Sequence, residues 1–158
     1  MLPISSDNFW FQEERVSRQE TPEVLYIYVI QLWIELSEKT KVIKHKVFIP
    51  AKSAQVYDAY VNAKKHSDFT GGKATCDPKV GGRFTAWDGY IIGKNLELTR
   101  GKKILQEWTT TERPKGYPPS ILELSFISKE DGTELTMTHS KVPAEQVESY
   151  RQGWIDYY

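Results

Sequence analysis

From Val42 onward, apolar and polar side chains alternate with a period of two. Ile43, His45, Val47 and Ile49 fall on one face of an extended segment, with Lys44, Lys46 and Phe48 on the other. Pro50 ends that strand because it brings no ladder donor. The same period returns further on. Ile104, Gln106 and Trp108 oppose Leu105, Glu107 and Thr109; Leu122, Leu124 and Phe126 alternate with Glu123 and Ser125; Leu135, Met137 and His139 alternate with Thr136 and Thr138. Leu96 and Leu98 also share a face, after Gly93 and Asn95. Turn residues separate these runs at Gly81-Gly82, Asp88-Gly89, Arg100-Gly101-Lys102 and Asp131-Gly132, while Pro114 to Pro119 reads as a loop. Asp88-Gly89 in particular predicts a two-residue type I′ hairpin after the strand Arg83 to Trp87.

Helical spacing occurs in two places. Ser53 is a suitable N-cap for SAQVYDAYVNAKK, where Val56, Tyr60 and Ala63 recur on one face. His66 to Phe69 begins or joins a second helix that Thr70-Gly71-Gly72 breaks. Near the end, Pro143 suits a first helical turn, and Val147, Tyr150 and Trp154 follow at spacings of three and four. Val24 to Leu36 fits two readings: its β-branched and aromatic residues favour a strand, while Ile27, Ile30, Ile34 and Trp33 fit a helical stripe. The order strand, helices, about six strands, helix is that of an α+β fold.

Four segments carry a resemblance. VGGRFTAWDGYIIGKNLEL (Val80 to Leu98), KKILQEWTTTE (Lys102 to Glu112), DGTELTMTHSKVPAEQ (Asp131 to Gln146) and ESYRQGWIDYY (Glu148 to Tyr158) together resemble the activator of heat-shock protein 90 ATPase family, within the START-like (SRPBCC) superfamily. The resemblance runs from Lys44 to Tyr158. It implies the helix-grip fold, a curved antiparallel sheet wrapped around a C-terminal helix, over residues 41–158, with 1–40 as an N-terminal extension of uncertain structure. Family members usually continue that helix beyond the equivalent of Tyr157-Tyr158, so the resemblance also implies a truncated helix and a partly open groove. Arg113 departs from the family, where a tryptophan precedes the proline.

Chemistry is sparse. Lys plus Arg and Asp plus Glu both number 21, so no uniform attraction to nucleic acid or acidic membranes is indicated. Cys76, the single cysteine, excludes an internal disulfide and fits a reducing compartment. No apolar run reaches the length of a membrane span and no secretory leader is evident, which leaves the cytoplasm as the expected location. His45, His66 and His139 are scattered without metal-ligand spacing, and Gly71 to Lys73 lacks the phosphate-loop pattern, so no metal or cofactor is expected. His139 shares a face with Leu135 and Met137, where it could serve as a base; the alternative is a histidine at a frayed strand end bonded to backbone or water.

If the inward face lines a cavity, its candidate residues are Phe84, Trp87, Tyr90, Leu98, Gln106, Trp108, Leu124, Phe126, Met137, His139, Tyr150 and Trp154. Rings would supply contact area, and Gln106, the Trp108 indole NH or His139 would orient a polar end. The competing reading is a dry core with internally satisfied polar atoms. The resemblance implies a noncatalytic domain whose partners are a heat-shock protein 90-type chaperone or a small hydrophobic ligand. A hydrophobic-ligand carrier or sensor without a chaperone role, and a cavity enzyme of the cyclase or hydrolase type, are the alternatives.

Overall fold

A computed structural model describes residues 21–158. Helix α1, Pro22–Lys39, resolves the ambiguity of Val24 to Leu36 in favour of helix. Proline opens it, Glu23 stands in its positively polarised first turn and Lys39 in its last. Val24, Leu25, Ile27 and Trp33 on it are exposed. By compactness the chain divides after Trp33, with Ile34–Tyr158 forming a unit of its own.

That unit runs β1 (Thr40–Ile49), α2 (Ser53–Val61), α3 (Ala63–Thr70), β2 (Thr75–Cys76), β3 (Arg83–Ala86), β4 (Ile91–Thr99), β5 (Lys103–Thr110), β6 (Ser120–Lys129), β7 (Gly132–Pro143) and α4 (Val147–Tyr157). The strands form one antiparallel sheet in the order β1-β7-β6-β5-β4-β3-β2. Together with α4 this is the α+β helix-grip architecture that the resemblance implies. β5 and β6 alternate buried and half-buried positions along most of their length, as a sheet with one covered face requires. Ile43, Ile104, Leu122 and Val142 are fully buried, each worth about 1.5–3 kcal/mol in apolar transfer. Val147 and Tyr150 of α4 join the same core cluster, as do Tyr57 and Val61 of α2.

Three local expectations change. The β3–β4 connection is wider than a two-residue hairpin: Ala86 pairs with Ile91, and Trp87, Asp88, Gly89 and Tyr90 lie between them. Trp87 (φ 51), Asp88 (φ 56) and Gly89 (φ 89) all have positive φ, a conformation that costs glycine little and a bulky residue such as tryptophan more. The N-cap of α2 is Lys52, not Ser53. Its backbone NH donates to Gln55 Oε1 at 3.1 Å, while Ser53 Oγ shares a 2.9 Å hydrogen bond with Ser128 Oγ. Third, a bulge between Asn95 and Glu97 interrupts β4, so the simple alternation through Leu96 and Leu98 fails there, just after Asn95, which is fully buried in step with Ile91.

Asn95 organises the segment between β2 and β3. Its Nδ2 donates to the carbonyls of Asp77 (2.9 Å) and Lys79 (3.3 Å), and its Oδ1 accepts from Gln106 Nε2 at 2.8 Å. Gln106 Oε1 in turn accepts from Tyr60 Oη at 3.2 Å. A polar chain thus ties α2 through β5 and β4 to the loop after β2, with the buried Asn95 and Gln106 side chains satisfied.

Candidate functional site

Two cavities flank the distal half of α4. The larger is a groove of about 560 Å³ bounded by β1, β6, β7, α2, Phe69 of α3 and the end of α4. Its walls are mainly aliphatic and aromatic: Val47, Ile49, Val56, Leu124, Leu135, Met137, Phe126 and Tyr60 all contribute. Gln55 and Lys46 also line it. One polar atom there is unsatisfied. His45 Nε2 is buried and has no hydrogen-bond partner.

The second cavity, about 410 Å³, is a slot between the β3–β4 connection and α4. Rings dominate it. Trp87 meets Tyr157 edge-on at 4.5 Å between centroids, and Trp108 meets Tyr150 edge-on at 5.2 Å. Thr110 Oγ1 and Tyr150 Oη, both in its lining, share a 3.1 Å hydrogen bond. Trp154 and Tyr158 line both cavities and so form the wall between them.

Behind that wall lies a second polar chain. Trp154 Nε1 donates to His139 Nδ1 at 3.2 Å. His139 Nε2 lies 2.8 Å from Ser120 Oγ, and Ser120 Oγ donates to the Trp108 carbonyl at 2.7 Å. Because the single hydroxyl hydrogen of Ser120 goes to that carbonyl, His139 must carry its hydrogen on Nε2. The imidazole is neutral and both nitrogens are occupied. Burial, reinforced by the positive charge of Arg113, pushes its pKa down to about 3. His139 is therefore neither a free base nor a frayed strand end: β7 continues to Pro143, and the ring is fully buried.

The twelve sequence candidates consequently separate. Trp87, Tyr90, Trp108 and Tyr150 line the slot; Leu124, Phe126 and Met137 line the groove; Trp154 lines both. Four line neither cavity. Phe84 is a core residue lying over Gly93, where a Cβ would come within 2.3 Å of its ring. Leu98 packs against the core. Gln106 and His139 belong to the two polar chains. Val47, Val56, Tyr60, Leu135, Tyr158, Thr110 and Gly153 are cavity residues that sequence reasoning did not select. His45 was also missed, although its alternation with Ile43, Val47 and Ile49 already placed it inward.

Arg113, the residue that departs from the family pattern, spans the loop before β6. Its Nη2 donates to the Pro118 and Lys141 carbonyls, so it closes the loop onto the end of β7. No group of three or more His, Cys, Asp or Glu residues is placed to hold a metal ion among the described residues. No helix among them is long and apolar enough to cross a membrane.

The family described as activator of Hsp90 ATPase homolog 1-like protein matches residues 50–158. The chain belongs to that family. The human activator of 90 kDa heat shock protein ATPase homolog 1 is 34% identical over 104 residues, covering 66% of this chain and 30% of that protein. The Dictyostelium discoideum homologue is 28% identical over 115 residues, 73% of this chain and 30% of its own length. This chain therefore spans about a third of these relatives. Among solved structures, an HSP90 activator from Plasmodium falciparum superposes with a TM-score of 0.67 at 26% identity, over 76% of this chain and 90% of that one. The family resemblance and the helix-grip fold agree.

Proposed function

We propose that residues 41–158 form a noncatalytic binding domain that engages an Hsp90-type chaperone and favours its closed, hydrolysis-competent conformation. The observation that carries this reading is the family match over residues 50–158, with relatives named as activators of that chaperone's ATPase. The physical mechanism is differential affinity. A domain that binds the closed state better than the open one raises its population and hence turnover, while performing no phosphoryl transfer itself. The neutral, doubly bonded His139 supports a noncatalytic role over a cavity enzyme. The test is the steady-state ATPase rate of a purified Hsp90 chaperone titrated with this protein. The rate should rise saturably and respond little to added lipid; an unchanged rate at saturation would contradict the proposal.

A second reading, binding of a small hydrophobic ligand, has its own support in the groove. An apolar cavity of about 560 Å³ with one unsatisfied buried nitrogen, His45 Nε2, suits an elongated apolar molecule with a single hydroxyl or carbonyl end. Native mass spectrometry of the purified protein should then retain an adduct that His45→Leu weakens. Retention unaffected by that substitution would place the adduct elsewhere.

A further inference from the structure

Two local departures from good backbone economy face each other across the aromatic slot. On the helix side stands Gly153, the seventh of eleven residues of α4. Glycine inside a helix costs about 1 kcal/mol relative to alanine, and such a cost usually has a packing or conformational reason. Here neither exists: its backbone is helical, with no positive φ, and a Cβ built on it would meet nothing within 4 Å. What the missing side chain does provide is space, because Gly153 lines the slot.

On the opposite side stands Trp87, whose φ of 51° is unfavourable for so bulky a residue. That conformation seats its ring against Gly72, where a Cβ would come within 2.8 Å of the indole, and presents its edge to Tyr157. Costs of this kind accumulate at sites whose shape is selected for something other than stability. Both fall on one cavity.

We propose that this slot is a binding site for a flat, neutral aromatic molecule of one or two fused rings, with Gly153 as its specificity-determining residue. Within the Trp87–Tyr157 and Trp108–Tyr150 pairs the rings are tilted at 61° and 71°, so the slot's lining offers both ring faces and ring edges to an aromatic ligand. No charged side chain lines the slot among the described residues, which favours a neutral ligand. The hydrogen-bonded Thr110 and Tyr150 hydroxyls put polar oxygens in the slot that can accept a hydrogen bond from one hydroxyl group on the ligand. The inference stands apart from the chaperone reading and from the groove: either can fail while the slot binds.

The probe is 2-naphthol, titrated into the isotope-labelled protein and followed by amide and indole NMR shifts. Saturable shifts should centre on Trp87, Tyr90 and Gly153. Gly153→Leu should fill the slot and weaken binding by about tenfold or more, while its melting temperature holds or rises because leucine is the better helix former. Gly153→Ala, the milder change, should stabilise the protein and retain binding. Absence of saturable binding, shifts centred on Val47, Val56 and Leu135, or full affinity in Gly153→Leu would each overturn the proposal.

Discussion

The groove and the slot share a wall, yet they are built differently. The groove is lined chiefly by apolar side chains from β1, β6, β7 and α2, and its one conspicuous polar atom is left unsatisfied. The slot is lined by rings, several of which are fixed: Trp154 by His139, Tyr150 by Thr110, and Tyr90 through its hydroxyl to Glu112 at 3.1 Å. Aliphatic walls can repack around ligands of different shape at modest cost, whereas hydrogen-bonded rings hold one shape. On the two binding proposals, the groove would tolerate a range of ligand shapes and the slot would select among them.

The sharpest way to break this contrast is to remove the shared wall's anchor. His139→Ala should cost about 3–5 kcal/mol, since it leaves a cavity and strands the Trp154 NH inside the protein. Chemical denaturation should show the loss, and hydrogen exchange should show α4 losing protection ahead of the sheet. Loss spread evenly over the whole domain would mean that His139 does not fix α4.

Asn95→Ala comes next, at about 2–3 kcal/mol, because it leaves the Asp77 and Lys79 carbonyls and the Gln106 amide without their partner. Its effect should fall on the β2–β3 segment and spare 2-naphthol binding in the slot.

Acid supplies the third test. His139 has a folded pKa of about 3 against 6.5 when unfolded, so between those values the unfolded chain binds the extra proton and stability falls with pH. From pH 7 to 5 this one group should remove about 2 kcal/mol. His66, whose pKa burial also lowers, acts in the same direction. Urea unfolding at the two pH values measures the sum, and His139→Gln should remove the His139 share of about 2 kcal/mol and leave that of His66. An unaltered pH profile in that variant would contradict the neutral, buried imidazole.

The smallest effect is Gly153→Ala. It should add about 0.5–1 kcal/mol to stability with no loss elsewhere.

Much of the sheet was legible because its inward faces follow a strict period of two. Ile104, Gln106 and Trp108 are buried together, as are Leu122, Leu124 and Phe126. The readings that failed did so where tertiary geometry overrode local pattern. Asn95 keeps the alternation of Ile91 and Gly93 and so puts a polar residue inward, where it serves two carbonyls of the β2–β3 segment, and the bulge that follows it shifts the register of Leu96 and Leu98. Asp88-Gly89 has the hairpin dipeptide, yet Trp87 enters the turn as well and widens it. Val24 to Leu36, inside the helix Pro22–Lys39, was undecided because apolar residues occupy all of its positions but Gln31 and Glu35, which blurs both periods.

The candidate residues were less legible than the fold. Alternation identifies which side chains point inward, but it does not say which of them touch one another and which border open space. Gln106 and His139 looked like ligand anchors and instead satisfy internal partners. His45 carries the unsatisfied atom, and Gly153 leaves its mark only as an absence of side-chain volume. Neither signal can be read without neighbours in three dimensions.

The central functional claim rests on unequal affinity for two chaperone conformations. Native mass spectrometry or calorimetry of this protein with a purified Hsp90 chaperone, measured once without nucleotide and once with a non-hydrolysable ATP analogue, tests it most directly. The account predicts markedly tighter binding to the nucleotide-closed form. Equal affinity for both forms, or binding to neither, would contradict it.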